Sequence, residues 1–154
     1  MSSELSAVGT RALILDANIL VRAVLGRRVL ALLLAYATHV HFLAPEIAFT
    51  DVRRHLPGIL IKRGLSTEAV TRLVEQEVLG RLPALITPAP HGSYANFEGR
   101  ARRRLAGRDE ADWPFVALAL RLACPIWTED QDFFGIGVPT WATDRVEIYL
   151  QSAL

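Results

Sequence analysis

The sequence has one cysteine, one methionine and one lysine. A lone cysteine, Cys124, can close no internal disulfide, and no Cys/His set has zinc spacing. This usage fits a reducing compartment. Charge of one sign is also scarce: 17 Lys and Arg face 16 Asp and Glu, for a net charge of +1. Bulk attraction to nucleic acid or membrane is thereby excluded, so any nucleic-acid site must be a local patch. No run of about 18 uninterrupted apolar residues occurs, and no membrane span is expected. Residues 1–9 lack a basic segment and an apolar core, so no signal peptide is expected there. A cytoplasmic protein is expected. Internal repeats and low-complexity linkers are missing too.

What is present is apolar matter. Hydrophobic residues make up 51% and mean hydropathy is +0.26, which excludes a disordered chain. A length of 154 residues suits one ordinary domain that folds without disulfides. Residues 1–10 read as a flexible tail and 11–154 as a single domain.

Within that domain, short apolar runs alternate with helical patterns. The run at 12–15 predicts a buried strand, stopped by Asp16. Helices are expected at 20–26 and 28–38, and a second strand at 41–43. Pro45 opens a helix that should end near Leu56, before Pro57 and Gly58. Ser66 caps a helix over 67–79 that turns Glu75 and Glu77 to water. A strand is expected at 84–86. Tyr94, Phe97, Ala101 and Leu105 mark an amphipathic helix whose polar back carries Arg100, Arg102, Arg103 and Arg104. The segment 112–123 is apolar on nearly every side, as a helix packed between layers must be. Strands at 126–128 and 140–142 and a helix at 144–150 complete the pattern. Strands alternating with helices predict an α/β sandwich with a mainly parallel sheet.

The acids fall at telling places. Asp16 follows the first strand, and Asp130 and Asp132 follow a later one. Sites in open parallel sheets form at the carboxyl ends of strands. Asp112 begins the helix that feeds the strand ending at Thr128. Asp51 lies in the Pro45 helix on a mostly apolar side, where a carboxylate needs a partner. Carboxylates brought together repel and raise one another's pKa. A divalent cation resolves this, and oxygen ligands without Cys or paired His point to Mg²⁺ or Mn²⁺. Phosphodiester hydrolysis is the chemistry such an ion supports.

Three segments carry a resemblance: Leu-Ile-Leu-Asp-Ala-Asn at 13–18, Asp-Trp-Pro-Phe-Val-Ala-Leu-Ala-Leu at 112–120, and Ile-Trp-Thr-Glu-Asp-Gln-Asp-Phe-Phe-Gly at 126–135. In this order and spacing, across roughly 11–145, the chain resembles the PIN-domain family of metal-dependent nucleases. The resemblance implies a three-layer α/β/α fold. It implies acids at Asp16, Asp51, Asp112 and Asp130 as metal ligands, with Asp132 auxiliary and with Asn18 and Thr128 supporting. Glu46 competes with Asp51, and Asp109 and Glu110 compete with Asp112. Small members are similar to the virulence-associated toxins of bacterial toxin–antitoxin pairs, which cut RNA. That likeness implies an antitoxin partner placing Arg or Lys near the acids, and a homodimer.

Plainer readings stand beside these. Asp112 and Asp16 could be helix caps, and Asp130 could close an Asx turn. Arg100, Arg102, Arg103 and Arg104 could track an RNA backbone or simply form a solvated face. Leu32, Tyr36 and Phe42 could line a dimer face or the core. Two rival functions remain. One is a catalytically inactive PIN-like RNA- or protein-binding module. The other is a phospho-acceptor receiver domain, for which the late-strand Lys is missing.

Overall fold

A computed structural model describes residues 11–154. The tail expected at 1–10 lies outside the described residues. Strand β1 (Arg11–Leu15) buries Leu13, Ile14 and Leu15 in succession. A strand buried on both faces has helices on both sides, which is the three-layer arrangement the pattern predicts. β1 pairs in parallel with β2 (Val40–Pro45) on one side and β4 (Ile126–Trp127) on the other. Edge strands β3 (Thr87–Ala89) and β5 (Thr140–Trp141) complete an all-parallel sheet of order β3-β2-β1-β4-β5. The chain therefore walks outward from β1, then returns to its other flank. The order reverses between β1 and β4, and a crevice opens there at the carboxyl ends of the strands. A receiver has the order 2-1-3-4-5, so that rival is removed.

The helices are α1 (Ala17–Leu25), α2 (Arg28–Tyr36), α3 (Glu46–Lys62), α4 (Thr67–Leu73), α5 (Leu82–Leu85), α6 (Glu98–Arg104), α7 (Trp113–Leu122) and α8 (Val146–Gln151). α7 buries seven residues in a row, from Trp113 to Ala119, and packs along β1 and β2. Its end is set by Ala123, which adopts a left-handed φ of 53°. No described helix is long and apolar enough to cross a membrane.

Several boundaries differ from expectation, each for a physical reason. α3 does not stop before Pro57. Its buried stripe of Ala48, Val52, Leu56 and Leu60 repeats every fourth residue through the proline, and that burial outweighs one lost backbone hydrogen bond. The helix capped by Ser66, whose Oγ accepts from Ala69 N–H at 3.2 Å, widens into a π-helix over Val74–Arg81. There Glu77 is half-buried and pairs with Arg81 at 3.1 Å, so it does not face open water. The strand expected at 84–86 lies three residues later. α5 takes its place, and β3 sits at the sheet edge where Pro88 is tolerated. The helix marked by Tyr94 begins as two 3₁₀ turns, and only Glu98–Arg104 is α-helical. Leu32, Tyr36 and Phe42 belong to the core.

Candidate active site

Asp16 leaves β1 in an extended conformation and starts α1. Its side chain is nearly buried, with 6% exposure. Oδ1 accepts from Ala17 N–H at 2.7 Å. Oδ2 accepts from Asn18 Nδ2 at 3.1 Å and from Thr128 Oγ1 at 2.7 Å. Thr128 follows β4 and is fully buried. Its hydroxyl also accepts from Asp130 N–H at 2.9 Å. One threonine thus ties the two loops that flank the topological switch. Asp130 Oδ1 in turn accepts from Asp132 N–H at 2.9 Å, the Asx turn its spacing suggests. Burial holds the Asp16 carboxyl above its ordinary range, and the nearby Asp130 adds to it, while bonds from Thr128, Ala17 and Asn18 oppose the rise.

Asp112 occupies the residue before α7, but its side chain makes no capping bond. Asp109 caps that turn instead, with Oδ1 accepting from Ala111 N–H at 3.0 Å. Capping therefore does not account for Asp112. Its carboxyl is pushed up to about 7, first by burial, then by the charges of Asp16, Asp109, Asp130 and Asp132. Carboxylates from two distant stretches of sequence, at 16 and at 130–132, act on one group beside its neighbour Asp109. Among the described residues, Asp16, Asp112, Asp130 and Asp132 form no ion pair.

The second acid is placed differently. Ile14 lies opposite Leu43, so Asp16 and Pro45 end level. Glu46 follows at once, exposed in the first turn of α3, and its charge reaches Tyr94, which packs on Trp113. Asp51 is half-buried about 7 Å further along the helix. Neither is among the charges that raise Asp112.

Of the four arginines on α6, Arg102 is taken. It pairs with Glu98 at 2.7 Å and Glu110 at 3.8 Å and lies over the Trp113 ring. Arg104 Nη1 donates to Ile136 O at 3.0 Å. Beyond α6, Arg108 Nη1 donates to the carbonyls of Asp132, at 2.8 Å, and Phe134. These two residues clamp the loop that carries Asp132. Gly137 makes room for the clamp: its φ is +84°, and a Cβ there would collide with Arg104 Nη1. Sequence reasoning missed Arg108 as well as Glu129, whose Oε2 accepts from Thr143 N–H at 2.7 Å and Thr143 Oγ1 at 2.6 Å. A signal for the clamp existed in the Gly-x-Gly at 135–137.

Two features bear on a hard cation. The converging donors are all oxygens, without sulfur or imidazole among them. Asn18 Oδ1 is buried beside Asp16 with no hydrogen-bond partner among the described residues, and such an oxygen is suited to an ion or its water. The residues fit Mg²⁺ or Mn²⁺ in kind. As the side chains are oriented, no three Asp, Glu, His or Cys among the described residues stand close enough to hold one ion.

No curated protein matches the chain in sequence. In three dimensions it is similar to a chain of VapBC2 from Rickettsia felis, whose crystal structure was solved bound to a DNA fragment from their promoter. The TM-score is 0.62 at 14% identity, over 85% of this chain and 98% of that one. Residues 14–151 match the family model of the PIN domain. With its switch-point acids and its order of strands, the chain belongs to the PIN-domain family.

Proposed function

We propose that this chain is a Mg²⁺- or Mn²⁺-dependent endoribonuclease that hydrolyses RNA phosphodiester bonds, and that it is the toxin of a type II toxin–antitoxin pair. One observation carries the reading: the charges of Asp16, Asp130 and Asp132 converge on Asp112 at the switch point with no cationic partner among the described residues. PIN domains are generally divalent-metal-dependent nucleases, which supports it.

Asp16, Asp112 and Asp130 would hold the ion directly or through water, with Asp51 or Glu46 of α3 as the fourth ligand. When bound, the ion supplies a more acidic water and stabilises charge on a phosphoryl oxygen. Asp132 would complete the shell or orient the water. Thr128 fixes the carboxylate of Asp16 and the backbone of Asp130. Asn18 offers its free oxygen beside them. The products are a 5′-phosphate and a 3′-hydroxyl. A homodimer working in the cytoplasm is inferred, restrained by an antitoxin that places Arg or Lys among the acids. Similarity to a chain of a VapBC2 structure supports such a partner.

A second reading, a catalytically silent RNA- or protein-binding module, draws on the lack of three poised ligands among the described residues. One experiment separates the two. Labelled RNA is incubated with Mn²⁺, with and without chelator, and with Asp16→Asn protein. Cleavage that needs Mn²⁺ and vanishes in the variant is expected. Cleavage retained by Asp16→Asn would overturn the assignment, and no cleavage by the native chain would favour the silent module.

A further inference from the structure

We propose that Arg100, Arg103 and Arg104 form a phosphate subsite that holds the RNA backbone at a distance from the acids. This inference deepens the ribonuclease reading and rests on it. The three side chains alone line an open recess of about 300 Å³ on α6. The helix divides its cations. Arg102 faces Glu98 and Glu110 and is neutralised, whereas Arg100, Arg103 and Arg104 pair with no carboxylate among the described residues.

The recess is also built. Arg104 is fixed by its bond to Ile136 O. Arg100 lies over the Phe97 ring, 5.1 Å from the centroid. Arg103 Nη1 lies back over the helix, 3.5 Å from where a Cβ on Gly99 would stand. Guanidinium groups held in this way lose little freedom on meeting an anion and match phosphate oxygens with paired donors. One loop links the recess to the candidate active site along the chain. The loop that Arg104 grips at Ile136 is the loop that Arg108 grips at Asp132. A strand of RNA crossing the acids and following this loop would bring another of its phosphates to the three arginines. A chain with a net charge of +1 needs such a local patch to hold a polyanion.

The test uses the full chain in EDTA, so that binding is read without cleavage. The probe is a fluorescein-labelled twelve-nucleotide oligouridylate, titrated between 0.05 and 0.5 M salt (about that range spans the strong and weak limits). Arg100→Gln/Arg103→Gln leaves the Arg104 bond intact. Each lost phosphate contact on a single strand lowers the salt slope by about 0.7, so the double variant should lose about 1.4. That corresponds to roughly twentyfold weaker binding at 0.1 M salt, converging near 1 M. Arg72→Gln on α4 controls for charge number and should keep the native slope. An unchanged slope in the double variant overturns the proposal, as does an equal per-charge loss in the control. So does binding of a polyglutamate peptide at the arginines with RNA affinity unmoved, which would assign the recess to an acidic protein segment. Failure of the nuclease reading shows up separately, as native protein that binds oligouridylate but does not cleave it with Mn²⁺.

Discussion

Glu129 and Asp130 are neighbours in sequence, but their carboxylates have opposite fates. Glu129 receives two short hydrogen bonds from Thr143, whose hydroxyl also accepts from Trp127 Nε1 at 3.0 Å. That acid is satisfied, and it stitches the end of β4 to the turn after β5. Asp130 faces Asp16 and Asp112, adding to the charge that burdens both. The first arrangement stabilises the fold. The second destabilises it unless something positive arrives. The difference teaches how to sort acids in one loop: a carboxylate satisfied by its donors and set apart from other acids supports structure, while acids whose charges converge are set for a cation even where they keep donors, as Asp16 and Asp130 do.

The sharpest way to break the comparison is to neutralise an acid of the converging group. Asp16→Asn should lower Mn²⁺-dependent RNA cleavage roughly a thousandfold or more, because several kcal/mol of charge stabilisation depends on the ion. Its thermal midpoint should fall only modestly, since the amide keeps one acceptor oxygen for Thr128 and Asn18 and loses the bond from Ala17 N–H. The Mn²⁺-induced rise in that midpoint should vanish. A retained rise would move the metal elsewhere. Thr128→Val tests the next link. It strips Asp16 of its closest side-chain donor and Asp130 of its backbone anchor, and cleavage should fall about ten- to a hundredfold.

Glu129→Ala should do the reverse. Thr143 N–H would be left without its acceptor in a buried place, at a cost of about 1–3 kcal/mol in stability. Denaturant unfolding measures it. Cleavage by the folded fraction should change far less than in Asp16→Asn. A collapse of activity at unchanged stability would erase the contrast between the two acids.

Much of this site was legible beforehand, because its parts announce themselves locally. Asp16 stops an apolar run, and Thr128 precedes paired acids at a strand end. Both signals survive folding because a buried strand must be broken by something polar. The order of β1 and β4 as neighbours is what brings these parts together, and the α/β alternation did not fix it, since a receiver shares the alternation but not the order. The second acid was less legible. Glu46 and Asp51 differ by more than a turn, and which one faces the crevice depends on helix direction, which no residue pattern encodes. The clamp was harder still. Arg104 and Arg108 act through backbone carbonyls, so their partners have no side-chain signature. Strands as short as β3, β4 and β5 carry too few residues to show a period, which is why the strand near Ile86 was displaced.

The smallest effect is the one that tests the sign of the strain. Asp112 holds its proton up to about pH 7 in the folded chain, against an ordinary value of 3.8. Between those values the folded state binds more protons than the unfolded state. Stability must therefore fall as pH rises from about 4 to about 7 and level off above. Asp112→Asn removes the ionising group. In metal-free buffer at pH 8 it should be more stable than the native chain, and at pH 3 the two should agree. Each pKa unit is worth about 1.4 kcal/mol in full, but Asp112 is partly open to solvent, so screening leaves about 1–2 kcal/mol. For a chain of this length that is a rise of a few degrees in thermal midpoint, about 3–6 °C. Mn²⁺ should invert the ranking, because the native chain gains from an ion that the variant holds poorly. A variant less stable than the native chain at pH 8 without metal would mean that Asp112 supports the fold as Glu129 does, and the two acids would then belong to one class.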